Sequence, residues 1–319
     1  DSMDMGPRVD VVGKLEKAIK ARGMKFVTTF HHARNWQYYS HEDDYDTNDP
    51  EYAYLGSIYG PIHEKGEPPT EAYLEDWKNR VVEVIDKYQP DLLWFDGAWG
   101  KSRYNPYKQQ LLSYYYNRAE SLGRAVGVTY KGQDLPAGVG IRDFERGRPP
   151  KIERPAWLTD TSIYKNSWGY IEGARYYSAG WIIDDLVDVV SKNGCMLLNV
   201  GPKPNGEIPR PARRRFLEIG RWLKTNGDAI YGTRPWKVFG EGPTEIATGH
   251  HTRRKKAFVA RDIRFTVKDD VLYTIALDWP DADKLTIETL SAGCRISTGG
   301  IDSVTLLGSE GELDWSRHE

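Results

Sequence analysis

The sequence predicts an α/β chain, a parallel sheet or barrel built from alternating helices and strands and followed by a small β domain. Three observations carry this expectation. Amphipathic stretches of helical period alternate with short apolar runs up to about residue 230. Several of those runs end in polar or charged side chains, where parallel α/β folds place their ligands. Past Pro235 the helical period stops, and short strand-like runs separated by turn residues replace it. The expected division is 1–234 and 235–319.

The first helix spans 10–23. Asp10 caps it, Val11, Val12, Leu15, Ala18 and Ile19 share one face, and Gly23 ends it. Met24 to Phe30 is the first strand, closed by His31-His32. Residues 40–69 are polar, with Gly and Pro, and read as a long loop. Thr70 opens a second helix with Tyr73, Leu74, Trp77, Val81, Val84, Ile85 and Tyr88 along one side, and Pro90 stops it. Asp91–Asp96 is the second strand. Tyr107–Leu122 is helical, Ala125–Tyr130 is a strand, and Lys131 to about Pro155 is a long loop. Ile182–Val190 is a helix, Cys195–Val200 a strand and Pro209–Leu223 a helix. In the β region Val271–Leu277, Leu285–Leu290 and Ser303–Leu307 read as strands.

Composition narrows the function. The chain has 319 residues, with 44 Lys+Arg against 46 Asp+Glu, a net charge of −2. Such a balance argues against a broad electrostatic role on nucleic acid or an anionic membrane. No run of 18 apolar residues suggests a transmembrane helix, and DSMDMGPRVD lacks a signal pattern. Two cysteines build neither a disulfide framework nor a cysteine zinc site. Eleven Trp and twenty Tyr suit carbohydrate, whose rings have apolar faces edged by hydroxyls, although such rings also fill cores.

Three strand ends carry reactive groups: His31-His32, Asp96 and Tyr130-Lys131. Asp96 is the sharpest, an acid directly after Leu-Leu-Trp-Phe and before Gly-Ala-Trp. A retaining glycosidase needs two carboxyl groups about 5–5.5 Å apart, one to attack the anomeric carbon and one to protonate the leaving oxygen. The loop 131–155 offers Asp134, Asp143, Glu145 and Glu153 for the second. Glu145 is flanked by arginines in a loop that could close over a pocket. The other patterns are weaker. His31 and His32 lack a third metal ligand at obvious spacing. The NVGPKPNG segment has no phosphate-loop pattern and reads as a turn. HTRRKK at 251–256 reads as a solvated hairpin.

Six runs together resemble the α-L-fucosidases of glycoside hydrolase family 29. They are MGPRVDVVGKLEKAIKARGMKF, DLLWFDGAWG, DFERGR, WLTDTSIYKNSWGY, DDLVDVVSKNGCMLLNVGPKPNGEIP and GRWLKTNGDAIYGTRPW, in family order over most of residues 5–236. The resemblance implies removal of terminal α-linked L-fucose from a glycan or glycoside, with retention and without a cofactor. It places the nucleophile at Asp96 and the acid/base at Glu145. It puts Trp168 beside the sugar, and His31, His32 and Trp36 on a strand end of the fucose pocket. It also implies an incomplete (β/α)8 TIM-like barrel lacking about the first two βα units, followed by a small, shortened β-sandwich. The family's His-Trp-Gly and Lys-His-His-Asp-Gly-Phe strand ends do not occur here. An incomplete barrel exposes strand edges and apolar core, so a homo-oligomer covering the missing segment is expected. The competing expectations are a catalytically weak or inactive sugar-binding or assembling fragment, and a retaining hydrolase for another sugar such as galactose.

Overall fold

The computed structural model describes residues 2–4, 6–38, 45–296 and 299–318, without the side chains of 53–57. Residues 40–44 of the expected long loop lie outside the described residues. Two compact units divide the chain, Asp1–Arg142 and Asp143–Glu319.

In the first unit, helix α1 (Val11–Lys20) starts where Asp10 accepts the Gly13 amide at 2.8 Å. Its apolar face is not covered: Val11, Val12 and Leu15 are all exposed. Strand β1 (Val27–Phe30) leads into the short helix α2 (His32–Tyr38). The expected loop then contains two 3₁₀ segments, Asp46–Asn48 and Pro50–Leu55, and the single turn α3 (Gly56–Tyr59). Each is too short to show a helical period, so nothing in the sequence flagged them. Helix α4 (Glu71–Tyr88) is capped by Thr70 and ends at Gln89 in a left-handed conformation, just before Pro90. It buries Tyr73, Leu74, Trp77, Val81 and Ile85 as the period requires. Strand β2 (Leu92–Phe95), helix α5 (Asn105–Ser121) and strand β3 (Gly127–Lys131) follow. The strand order is β1-β2-β3, all parallel, with Phe30 opposite Phe95 and Leu93 opposite Val128. The core lies between this sheet and helices α4 and α5, around Trp77, Leu93, Phe95, Trp99 and Leu111.

Strand β4 (Ile141–Asp143) stands at the boundary of the units, inside a stretch expected to be loop. In the second unit, β5 (Trp157–Ser162) pairs in parallel with β6 (Gly194–Asn199) across helix α6 (Ala179–Ser191). Helix α7 (Arg210–Asn226) follows. The sequence signal missed β5 because Thr159, Asp160 and Ser162 are polar yet buried. Among the described residues, six strands succeeding one another in chain order, with parallel pairs joined through helices, form an incomplete TIM-like barrel.

The C-terminal β region departs from expectation in detail. Its described sheet has three antiparallel strands, β7 (Arg234–Glu241), β8 (Ile263–Lys268) and β9 (Val271–Ala276). Only β9 was expected. Glu288–Leu290, within the second expected strand, is a 3₁₀ turn, and Ser303–Leu307 contributes a single bridge, Thr305 to Glu312. Strand β8 was hidden because Arg264 is buried among apolar neighbours, which spoils the alternation of inward apolar and outward polar residues.

Candidate active site

Asp96 is the first residue after β2, and its amide donates to Phe30 O at 3.1 Å. The turn that follows is unusual. Gly97 and Ala98 both have left-handed φ, +75° and +64°, and a non-glycine residue in that region stores strain of a kind that clusters at functional sites. Trp99 pins the turn from below. It is fully buried and stacks on Phe95 at 4.1 Å. Main-chain strain above and an aromatic anchor below thus fix the Asp96 carboxylate at the strand end.

Three cationic or proton-donating side chains converge on that carboxylate. Lys131, the last residue of β3, donates to Oδ1 at 2.9 Å. Arg34, in the first turn of α2, places Nε 2.8 Å from Oδ2 and 2.7 Å from the Asp96 carbonyl. His31 Nδ1 donates to Oδ2 at 3.1 Å, since an ionised carboxylate can only accept. Burial pushes the Asp96 carboxyl up, but the hydrogen bonds from His31 and Lys131 and the charges of Lys131 and Arg34 outweigh it and lower the pKa to about 2. The side chain still keeps 19% of its surface open. Lys131 lies 4.9 Å over the Trp94 ring, and Trp94 also meets His31. Lys131 was visible in the sequence as a strand-end group. Arg34 was not, although its position three residues after His31 on a helix is a usable signal.

The other residues expected in this half of the site lie apart from Asp96. His32 stacks on Tyr73, accepts from Asn35 and is held neutral, its pKa lowered to about 4 by burial and by Arg80 against the pull of Asp76. Trp36 is 2% exposed, sandwiched with His63 at 3.8 Å, and donates to Glu67 O. Both side chains pack into an aromatic cluster behind the strand end, and Trp36 presents no open face. Asp134 also belongs to this unit. Burial raises its carboxyl pKa, with Lys108 and Arg34 opposing.

Glu145 and Trp168 lie in the second unit. Glu145 is not on a free loop. Phe144 and Arg146 amides donate to Leu158 O and Asp160 O, which attaches the segment to β5. On its other side His251 N donates to Glu145 O at 2.7 Å, and Arg148 bridges Gly249. The Glu145 amide donates to His250 Nδ1 at 3.2 Å, and its carboxylate lies 3.8 Å from His251 Nδ1. The segment after β4 is thus a turn, closed by Gly147 N donating to Phe144 O at 3.1 Å and tied down on both sides by main-chain hydrogen bonds. Arg146, left-handed at φ +48°, slides under Trp168 with its guanidinium carbon 3.6 Å from the ring centre. Of the other sequence candidates, Asp143 is buried and accepts the Asp160 amide, whereas Glu153 is only partly buried and its carbonyl takes Asn193.

The HTRRKK segment is not a solvated hairpin. Arg254 is buried, 3.7 Å over Trp181, and pairs with Asp184 and Asp185. It belongs to a charged network in which the fully buried Asp188 holds Arg148, Lys192 and Arg264 at 2.7–3.0 Å.

Comparison with known proteins bears on these arrangements. Residues 1–228 match the family model for α-L-fucosidase, and residues 255–319 match that for the α-L-fucosidase C-terminal domain. The tissue α-L-fucosidases of Rattus norvegicus and Homo sapiens are each 27% identical to it. The match covers 99% of this chain and 61% and 60% of theirs. The chain thus spans about three fifths of the length of these curated relatives. A Thermotoga maritima α-fucosidase crystallised with fucose superposes with a TM-score of 0.65 at 29% identity, over 88% of this chain and 57% of the other. No described helix is long and apolar enough to cross a membrane. With a family model matched over well more than half its length, the chain belongs to the α-L-fucosidase family.

Proposed function

We propose that this chain removes terminal α-linked L-fucose from glycans or glycosides by double displacement, with Asp96 as nucleophile and Glu145 as acid/base. The observation that carries the reading is the Asp96 carboxylate, ionised, strand-end and still open to solvent among three donors. A carboxylate has about four lone-pair positions. Lys131, Arg34 and His31 occupy three, which leaves one to attack the anomeric carbon. The same donors make Asp96 a weak base and hence a good leaving group in the second step. In the first step the bond from C1 to the leaving oxygen breaks while an Asp96 oxygen bonds to C1, and Glu145 gives its proton to the departing oxygen. In the second, Glu145 takes a proton from water, the hydroxide bonds to C1, and Asp96 is released.

His31, more than half exposed beside Asp96, is assigned to a sugar hydroxyl. Trp168, with one face on Arg146 and 36% exposed, is assigned to an apolar face of the sugar. His32 and Trp36 support the strand end from behind. The test is hydrolysis of an aryl α-L-fucoside by Asp96→Gly and Glu145→Ala, each with and without azide. Loss in both and azide rescue of fucoside cleavage is expected, while wild-type rates in both variants overturn the assignment. Aryl galactosides in the same panel separate the sugar specificity.

The division near residue 235 fits the two family matches, which leave residues 229–254 between them. We further assign self-association to the α1–β1 side. Val11, Val12, Leu15, Met24 and Val27 are exposed there, and β1 pairs only with β2 among the described strands. An apolar face beside an open strand edge favours association. A monodisperse monomer by light scattering, unchanged in Leu15→Glu, overturns it.

A further inference from the structure

We propose that the cleft beside Glu145 is an oxyanion subsite, taking a carboxylate or a sulfate ester carried on the leaving-group side of the fucosidic bond. The substrate class is then an acidic fucosylated glycan. The inference rests on the fucosidase reading above, although the binding it predicts does not require hydrolysis.

The argument begins with a contrast between arginines of the second unit. Arg148, Arg254 and Arg264 each pair with an aspartate. Arg146 does not. It is 8% exposed, its Nη1 is buried without a hydrogen-bond partner, and Nη2 reaches only Ser167 O at 3.5 Å. Arg253 donates to Lys165 O at 2.7 Å and stands 3.5 Å from the Tyr177 hydroxyl. It makes no ion pair among the described residues. Burial lowers its pKa, and the charge of Glu145 is the one group that opposes this.

Both guanidiniums line one open cleft together with Thr161, Ser162 and Tyr177, and with Asp185, whose carboxylate is already paired with Arg148 and Arg254. An arginine buried without a counter-charge is costly. A ligand oxyanion removes that cost and gains charge-assisted hydrogen bonds in fixed geometry. Trp168 stacks on one face of Arg146 and holds its plane, so the donors are oriented before a ligand arrives. A neutral hexose cannot supply the missing charge. Glu145 precedes Arg146 in the same turn and its charge acts on Arg253, so an anion held by the two arginines lies on the side of the acid/base and the departing group.

Two measurements on the full chain decide it. The first compares kcat/KM for carboxyphenyl and sulfatophenyl α-L-fucosides with their neutral methyl-ester and methoxy counterparts, in wild type and in Arg253→Gln. The ratio of acidic to neutral substrate is read, so a change in overall rate does not matter. One charge-assisted contact corresponds to about a tenfold drop in that ratio in the variant, and to a fall of the wild-type ratio with added salt. The second follows thermal unfolding at matched ionic strength with glucuronate, methyl sulfate or glucose. Glucuronate or methyl sulfate should raise the midpoint in wild type and not in Arg253→Gln, glucose in neither, and whichever of the two acts identifies the anion. An unchanged ratio with no differential shift overturns the subsite and leaves the fucosidase reading intact. A differential shift with no fucoside hydrolysed keeps the subsite and overturns that reading.

Discussion

Replacing Lys131 by Met should shift the acid limb of the fucosidase pH profile upward without moving the rest of it comparably. In the folded chain the Asp96 carboxyl lies at about 2, against 3.8 for an ordinary aspartate. The difference favours the ionised form by about 2–3 kcal/mol, and it survives a burial effect of opposite sign. The sign follows from the lowered value. Ionised Asp96 contributes stability above pH 3.8, and that contribution is lost as pH falls through about 2. Met fills the volume of the Lys131 stem but removes one charge and the 2.9 Å hydrogen bond to Oδ1. Such a bond is worth about 1.5–3 kcal/mol, or about one to two pH units. The acid limb of kcat/KM on an aryl α-L-fucoside should therefore move from about 2 to about 3–4, the ordinary aspartate range. Activity near pH 3.5 should fall several-fold relative to activity at pH 7. The assay needs a parallel check, by return to pH 7, that the folded chain survives each pH. A limb that stays in place while the rate drops equally at every pH would refute the idea that Lys131 sets the charge of Asp96.

Asp188→Asn leaves Arg148, Lys192 and Arg264 around a neutral amide in a fully buried site. It should cost about 3–5 kcal/mol in urea unfolding, and an unchanged midpoint would show the network to be dispensable. Trp99→Ala removes a fully buried ring stacked on Phe95, a loss of about 3–5 kcal/mol. It should also lower kcat by releasing the strained Gly97-Ala98 turn, so wild-type turnover in a destabilised variant would contradict that role. Trp168→Ala should do the reverse. It forfeits about 0.5–1 kcal/mol of stacking on Arg146 and should raise KM for fucoside several-fold; a KM equal to wild type removes it from the sugar site.

The legible parts of the sequence are those where local pattern and tertiary role agree. Helix α4 shows its cap, its apolar side and its stop because Thr70, the Tyr73-to-Ile85 period and Pro90 act within the segment itself. Asp96 stands out because a lone acid ends an apolar strand. Strand β5 was missed because three of the four polar residues 159–162, Thr159, Asp160 and Ser162, are buried and the segment therefore carries no apolar alternation. The mistaken hairpin at 251–256 has a related cause. Arg254 looks like a surface charge until Trp181, Asp184 and Asp185, about seventy residues earlier, are brought to it. The tether of Glu145 to His250 spans 105 positions, and no local pattern reports a contact of that range.

Asp96 and Asp188 show why a shifted acid is not by itself a site. Each is an aspartate among three basic side chains, and in each the opposing charges overcome burial and hold the carboxyl below its usual range. Asp188 has no exposed surface, and its three partners are themselves buried. No reactant reaches it, all its charge is spent on neighbours from three different segments, and its consequence is cohesion. Asp96 keeps part of its surface open, two of its partners, His31 and Arg34, are substantially exposed, and the turn beyond it is strained. Exposed partners can yield to a substrate, whereas buried ones cannot. Access and the mobility of the counter-charges, rather than the depth of the pKa shift, therefore separate the carboxylate suited to chemistry from the one that holds the second unit together.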